Sequence, residues 1–196
     1  LEKKTIRLKR LGKNKFLLLI GEREEGVYTY GTIKRYGLSD GDEVSEKDID
    51  SLYEKFIIPF AKERVLRLLS RRERSEKEIE EYLRHKHYSK ETIDRVIGDF
   101  TSSKLVDNRR FAEIFVRSRF ETSPRGVNLL SRELREKGIP EHVIQDVLQD
   151  YDEEEALEKV INRVKKRYKN RKDKLIKYLL QKGFEYNLIL QKINEA

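Results

Sequence analysis

At 196 residues the chain has room for one domain or two small ones, and for a real hydrophobic core. Charged side chains make up 41% and hydrophobic ones 37%, but the apolar positions are periodic, which excludes a disordered chain. The absence of cysteine excludes disulfides, thiolate nucleophiles and cysteine metal sites. The net charge of +8 is uneven: residues 1–58 balance at +1 and residues 59–196 carry +7. A field of that sign attracts polyanions or an acidic protein surface. No apolar run is long enough to span a bilayer and no signal-peptide pattern is present, so the expected location is the cytoplasm. The chain opens on Leu1 and holds no methionine, which predicts a trimmed chain or a non-standard start.

The first part reads as β-rich. "TIRLKRL" and "KFLLLIG" are short strands joined through the hairpin-type connection "GKNK". "GVYTYGTIKRYG" continues the sheet and then turns helical, "GLSDGDEV" is a turn cluster, and strands are expected only within about 1–38. In "SEKDIDSLYEKF", Ser45 and Asp48 stand at capping-box spacing ahead of an amphipathic helix. Beyond Pro59 the strand signals stop.

From residue 61 the chain repeats itself. "EYLRHKHYSKETIDRVI" (81–97), "RELREKGIPEHVIQDVL" (132–148) and "KYLLQKGFEYNLILQKI" (177–193) superimpose without gaps. They share Leu83, Leu134 and Leu179, a lysine three residues on, then Tyr88, Ile139 and Phe184, then Ile93, Ile144 and Ile189. Each copy reads as helix, break, helix. The break is Gly138 or Gly183 in two copies, suiting a left-handed C-cap, and His87 in the first. A further helical stretch precedes each pair: "AKERVLRLLSR", "FAEIFVRSRF" and "ALEKVINRVKKRY". The expected fold is therefore mainly α: three tandem three-helix repeats in an elongated curved array, preceded by a small β-rich N-terminal extension. The expected domains are 1–58 (extension with linking helix), 59–106, 107–152 and 153–196.

"DNRRFAEIFVRSR" (107–119) reads as a helix capped by Asp107, with Phe111, Ile114 and Phe115 on one face and Arg109, Arg110 and Arg117 round the flank. The catalytic inventory is poor. His85 and His87 point apart on a helix, His142 lies in another repeat, and the phosphate-binding signatures GxxxxGK[ST] and GxGxxG are missing. "SDGDE" resembles the front of a calcium loop, but the later ligand positions do not follow, so a turn is expected. Neither an enzyme, a metal site nor a cofactor is expected.

Binding features are better represented. They are Arg71, Arg72 and Arg74 in "RRERSE", Arg109 and Arg117, and Arg125, Arg132 and Arg135 in "SPRGVNLLSRELR". The run "KKRYKNRKDK" (165–174) has seven basic residues and one acid; within it Lys165, Lys166, Arg167, Lys169, Arg171 and Lys172 surround Tyr168, an aromatic able to stack on a base. The physical reading is a helical repeat protein that binds a polyanion or an acidic protein.

Three ordered stretches, "RRERSEKEIEEYL", "DNRRFAEIFVRSR" and "RGVNLLSRELREKGI", resemble the RecX family, regulators of RecA recombinase filaments. The first family pattern is met by Arg72, Arg74, Ser75, Glu78 and Ile79. The second is met by Asp107, Asn108, Arg110, Phe111 and Ala112, and the third by Gly126, Leu130, Glu133, Leu134, Lys137, Gly138 and Ile139. His87, where the family has glycine, departs from the pattern. The leading β-rich segment is similar to an extension found in some members. The resemblance implies a non-enzymatic, monomeric modulator of homologous recombination, DNA repair and the SOS response. It would lie along the groove of the RecA filament on single-stranded DNA, with weak direct DNA affinity and no membrane contact. It would impede filament growth, strand exchange, ATP hydrolysis and co-protease action. RecA or DNA contacts are expected from Arg71, Arg72, Arg74, Arg109, Arg117, Arg125, Arg132, Lys165, Lys166, Arg167, Tyr168, Lys169, Arg171 and Lys172, with Arg110 structural. The alternative reading is a stand-alone, sequence-independent DNA-binding repeat protein.

Overall fold

The computed structural model describes residues 3–169 and 171–195, so Leu1 and Glu2 of the extension, Asn170 of the basic run and Ala196 at the end of the third repeat lie outside the described residues. The chain divides into two compact units, Leu1–Val106 and Asp107–Ala196.

In the first unit a four-stranded antiparallel sheet has the order β3-β2-β1-β4, from β1 (Lys4–Gly12), β2 (Lys15–Ile20), β3 (Arg23–Tyr28) and β4 (Glu43–Val44). Ile6, Leu18, Ile20 and Tyr28 turn inward at period two, as half-buried strands require. The short β4 lies beyond the region where strands were expected. The turn cluster folds back along β1, because Asp40 accepts from the Leu8 amide (2.7 Å) and the Gly41 amide donates to Ile6 (2.9 Å). That brings Glu43 and Val44 opposite Thr5 and Lys4. The acids of "SDGDE" are thus engaged in closing a turn, Asp42 accepting from the Ser39 amide (2.7 Å).

Helix α1 (Tyr30–Arg35) follows, capped by Thr29. Next comes a continuous helical rod made of α2 (Glu46–Leu52), a π turn (Tyr53–Ile57) and α3 (Ile58–Leu69). Ser45 and Asp48 form the capping box their spacing predicts. The wide π turn ends just ahead of Pro59, which has no amide to donate and whose ring would clash with the carbonyl four residues back in a regular helix. The rod crosses residue 58 without a break, and one core holds both sides: Ile6, Leu18 and Tyr28 pack with Phe56, Ile57, Leu83, Ile93 and Val106. Glu25, fully buried on β3, accepts from Tyr53 Oη of the π turn (2.5 Å) and from Thr92 Oγ1 (2.8 Å). Sheet, rod and helices α4 (Glu76–His85) and α5 (Lys90–Ser102) therefore form one body.

The second unit comprises α6 (Asn108–Thr122), α7 (Val127–Glu136), α8 (Glu141–Gln149), α9 (Glu153–Val164), α10 (Lys172–Gln181) and α11 (Tyr186–Glu195). Among the described residues, nine helices starting from α3 make three three-helix repeats, so the fold is mainly α with a small N-terminal sheet. The repeat register holds at every shared position. Leu83, Leu134 and Leu179 are fully buried, as are Ile93, Ile144 and Ile189 to within 3%, and Tyr88, Ile139 and Phe184 to within 4%. Lys86, Lys137 and Lys182 each cap the C-terminus of the second helix, where a cation meets the negative end of the helix dipole. Asp107 caps α6, accepting from the amides of Arg109 (2.8 Å) and Arg110 (3.0 Å). One placement on that helix differs from expectation. Its buried face runs through Phe111, Ala112 and Val116, which turns Ile114 out to 45% exposure. Among the described residues no helix is long and apolar enough to cross a membrane.

Repeats two and three meet at backbone level. The Gly126 amide donates to the Lys182 carbonyl (2.9 Å), and a Cβ on Gly126 would lie 2.2 Å from the Gly183 carbonyl carbon. Gly126→Ala is therefore expected to destabilise by about 1–3 kcal/mol or more, since backbone must move against backbone. Leu134→Ala is expected to cost about 2–5 kcal/mol. Denaturant titration checks both, and a change within its error would show that the register or the contact is misassigned.

Candidate functional site

The arginines nominated by sequence fall into three groups. The first are consumed locally. Ser75 caps α4 by accepting from the Glu78 amide (3.2 Å), and Arg72 grips the same Glu78 with two parallel bonds (2.9 and 3.0 Å) while also donating to the Glu73 carbonyl (2.9 Å). Arg74, 3.9 Å from Glu78, is largely buried, and its Nε has no hydrogen-bond partner among the described residues. Burial, followed by repulsion from Arg72, holds its pKa below the ordinary arginine value. Arg125 stands in the equivalent place, one residue before the N-cap Gly126 of α7. It pairs with Glu133, its Nε is likewise buried without a partner, and burial again lowers its pKa. Glu133 also accepts from Arg119 Nε (3.2 Å), whose guanidinium lies 4.6 Å from the Phe115 ring centroid. These residues build the start of the second helix in repeats one and two.

The second group is exposed. Arg109 pairs with Asp146 across to α8 and approaches Glu113 at 3.9 Å, with 51% of its side chain exposed. Arg132 lies 4.0 Å from Glu136, with 69% of its side chain exposed, and Arg135 forks onto Glu141 (2.7 and 2.8 Å). Arg71 and Arg117 are exposed. Arg117 lines a shallow hollow with Val116, Phe120, Val147, Tyr151 and the acids Glu113, Asp150 and Asp152, and burial pushes the Tyr151 hydroxyl up to about 12.

The third group is the basic run, and here the structure assembles a candidate site. α9 ends at Val164, and residues 165–169 continue as turns before α10 begins at Lys172. Lys165, Lys166 and Lys169 are exposed, Lys165 donating to Asn162 (3.1 Å) and Lys172 to Asn194 (2.9 Å). A groove of about 300 Å³ is lined by Arg167, Tyr168, Arg171, Lys174, Lys177, Tyr178 and Gln181. Four of these are cations and none is an acid; Asp173, the run's acid, is not in the lining. Tyr168 stacks on Tyr178 with centroids 5.5 Å apart and planes inclined by 29°, and the Arg167 guanidinium lies 5.6 Å from the Tyr168 centroid. Of the lining, Lys174, Lys177, Tyr178 and Gln181 were not nominated from sequence. The turn between α9 and α10 brings them in, and the signal was two tyrosines bracketing a basic turn ten residues apart. A larger polar cleft of about 710 Å³ in the first unit offers no comparable field. Its lining mixes signs, and the pairs Arg23–Glu91 and Arg95–Glu54 close on themselves.

An α-helical repeat with a capped arginine–glutamate motif, preceded by a small sheet, defines a class of helical repeat protein, and comparison with known proteins gives the class its name. Residues 61–100 match the first three-helix domain of RecX, and residues 107–148 match the second. The chain is 32% identical over 197 residues to the regulatory protein RecX of Oceanobacillus iheyensis, covering 93% of this chain and 72% of the relative. It is 29% identical to the regulatory protein RecX of Streptococcus gordonii, covering 89% and 70%. A crystal structure of RecX from Lactobacillus salivarius superimposes with a TM-score of 0.60 at 30% identity, over 70% of this chain and 95% of that one. A crystal structure of a regulatory protein RecX shares the fold with a TM-score of 0.68 at 23% identity, over 98% and 100%. The chain belongs to the RecX family.

The arginines that share Glu133, Arg119 of α6 and Arg125 ahead of α7, make a stability prediction. Glu133→Gln leaves the largely buried Arg125 without a carboxylate, and is expected to cost about 1–3 kcal/mol in denaturant titration. An unchanged midpoint would mean that the pair is only a solvated contact.

Proposed function

We propose that this protein is a regulator, mainly a negative modulator, of the RecA recombinase. In this reading it binds along the groove of the RecA–DNA filament and impedes filament growth, strand exchange, ATP hydrolysis and co-protease activity. It works as a cytoplasmic monomer with neither a cofactor nor a catalytic step, and its effects reach DNA repair, homologous recombination and the SOS response. Membership of the RecX family carries the proposal. The relatives are named regulatory proteins, and a regulator of a nucleoprotein filament needs surfaces for both protein and phosphate. The basic run supplies a dense positive field for the phosphates. Exposed arginines, Arg117 above all and then Arg71, Arg109 and Arg132, supply particular contacts to RecA. Arg72, Arg74 and Arg125 act on binding indirectly, by fixing helix starts.

The second reading is a stand-alone DNA-binding protein, favoured by the same groove. It predicts strong, salt-dependent binding to naked DNA in the absence of RecA. The two readings separate in one assay. Charge reversal at Lys165, Lys166, Arg171 and Lys172 is expected to weaken inhibition of RecA's DNA-dependent ATP hydrolysis, most clearly at low salt. Each lost phosphate contact lowers the salt slope of DNA binding by roughly 0.7–0.9. Reversal at Arg117 is expected to weaken inhibition while leaving bare-DNA affinity unchanged. If the fourfold variant leaves both inhibition and DNA affinity at the wild-type level, the basic run has no part in the function.

A further inference from the structure

We infer that the groove at the α9–α10 turn is a subsite for one unit of single-stranded DNA, with Tyr168 as the base platform and Arg167, Arg171, Lys174 and Lys177 as the phosphate clamp. The inference deepens the DNA side of the proposed function by naming the substrate form and the residues that select it.

A field alone would treat every polyanion alike, and a set of lysines on a surface would do no more. The groove adds two features that a general field lacks. Its lining is one-signed, with four cations and no carboxylate among the described residues, so no acid in the lining competes with an incoming phosphate. It also contains an aromatic held in place. Tyr178 flanks the third repeat's core, next to Leu179, Phe184 and Ile189, and is therefore fixed by packing. Tyr168, half-buried, rests on it in a stacked arrangement with its plane inclined by 29°. A base stacking on Tyr168 meets a ring that is already ordered, so little side-chain freedom is lost on binding. The Arg167 guanidinium lies over the Tyr168 ring, 5.6 Å from its centroid, and a planar guanidinium can also fork onto the phosphate of a stacked nucleotide.

The geometry selects single strands. A base can stack on a protein ring only when its face is free, and in a duplex both faces are taken by neighbouring pairs. A volume of about 300 Å³ stands at the small end of ligand sites, suited to one base and its phosphate rather than to a helix laid across the turn. The sugar is read by context: the strand held in a RecA filament is DNA, and the DNA form rests on that reading, whereas the base-and-phosphate chemistry does not.

The test uses the full chain without RecA, so its failure is distinguishable from failure of the filament reading. Affinity is measured by fluorescence anisotropy for labelled oligothymidylate, for an abasic oligonucleotide with the same number of phosphates, for a duplex of equal length and for oligouridylate. Wild type is expected to prefer oligothymidylate to the abasic strand and to the duplex. Tyr168→Leu is expected to weaken oligothymidylate binding by about 5- to 150-fold, the range of single base–aromatic stacks, and to leave the abasic strand unaffected. Tyr168→Phe, which keeps the ring and the packing, is expected to retain the preference, so that loss with Leu is not a folding defect. The double change Arg171→Ala with Lys174→Ala is expected to weaken binding of both strands and lower the salt slope by roughly 0.7 per contact. Equal affinity of wild type for the thymidylate, abasic and duplex probes would overturn the inference, as would a Tyr168→Leu variant that binds oligothymidylate unchanged. Tighter binding of oligouridylate than of oligothymidylate would overturn the assignment to DNA.

Discussion

A tight backbone turn between the second and third helices of each repeat, with its residue in the left-handed region, is the seat on which each of the two units is built. His87 (φ 61°), Gly138 (76°) and Gly183 (85°) hold the same conformation. Upstream backbone is laid directly against this turn in two places. The Gly126 amide of the second repeat donates to Lys182 in the turn of the third, and the Gly26 amide of β3 donates to His87 in the turn of the first (2.8 Å). Both donors must be small: a Cβ on Gly26 would come within 2.8 Å of the Tyr88 ring. The sheet thus does for the first repeat what the second repeat does for the third. It is a cap of the kind that repeat arrays need where there is no preceding unit to bury the first hydrophobic face. A non-glycine residue in this conformation costs about 1–2 kcal/mol. At His87 that cost is met by useful contacts, its carbonyl accepting from Gly26 and its Nδ1 lying 2.9 Å from Glu24.

Most of this architecture was legible because it is written in local and periodic terms. The burial of Leu83, Leu134 and Leu179 follows from a repeated pattern, the caps at Ser45 and Asp107 from side-chain chemistry, and the turns at Gly138 and Gly183 from glycine's access to positive φ. What escaped was long-range. That β4 exists depends on Asp40 reaching Leu8, thirty-two residues away, and that the sheet shares a core with the first repeat depends on Glu25 meeting Thr92 across sixty-seven. The exposure of Ile114 depends on which side of α6 its neighbours occupy, and helical spacing alone gives two adjacent faces to choose between.

The charged residues show the same division. In a chain with 41% charged side chains, an arginine's availability is decided by whichever acid folding brings to it. Arg72 finds Glu78 six residues on, Arg109 finds Asp146 thirty-seven residues on, and Arg125 meets Glu133 one helix turn and more beyond. Composition could not separate these from Arg117 or from the cations of the groove. Density could, because a run of seven basic residues with one acid exceeds the local supply of carboxylates. Three cations of the run, Arg167, Arg171 and Lys174, accordingly line a one-signed groove, while Arg72, Arg74 and Arg125 became helix braces. An exposed pair such as Arg109–Asp146 contributes little to stability, about 0–1 kcal/mol, so its importance lies in which charges it leaves over for a partner.

The account rests on a protein that recognises a filament: RecA subunits and the strand they hold, presented together. Co-sedimentation at physiological salt of this chain with RecA filaments assembled on single-stranded DNA, against free RecA and against the same DNA alone, tests that most directly. The account predicts a large pelleted fraction with filaments, and little association with either component by itself. Equal recovery with bare DNA and with filaments would contradict it, reducing the protein to a general single-strand binder.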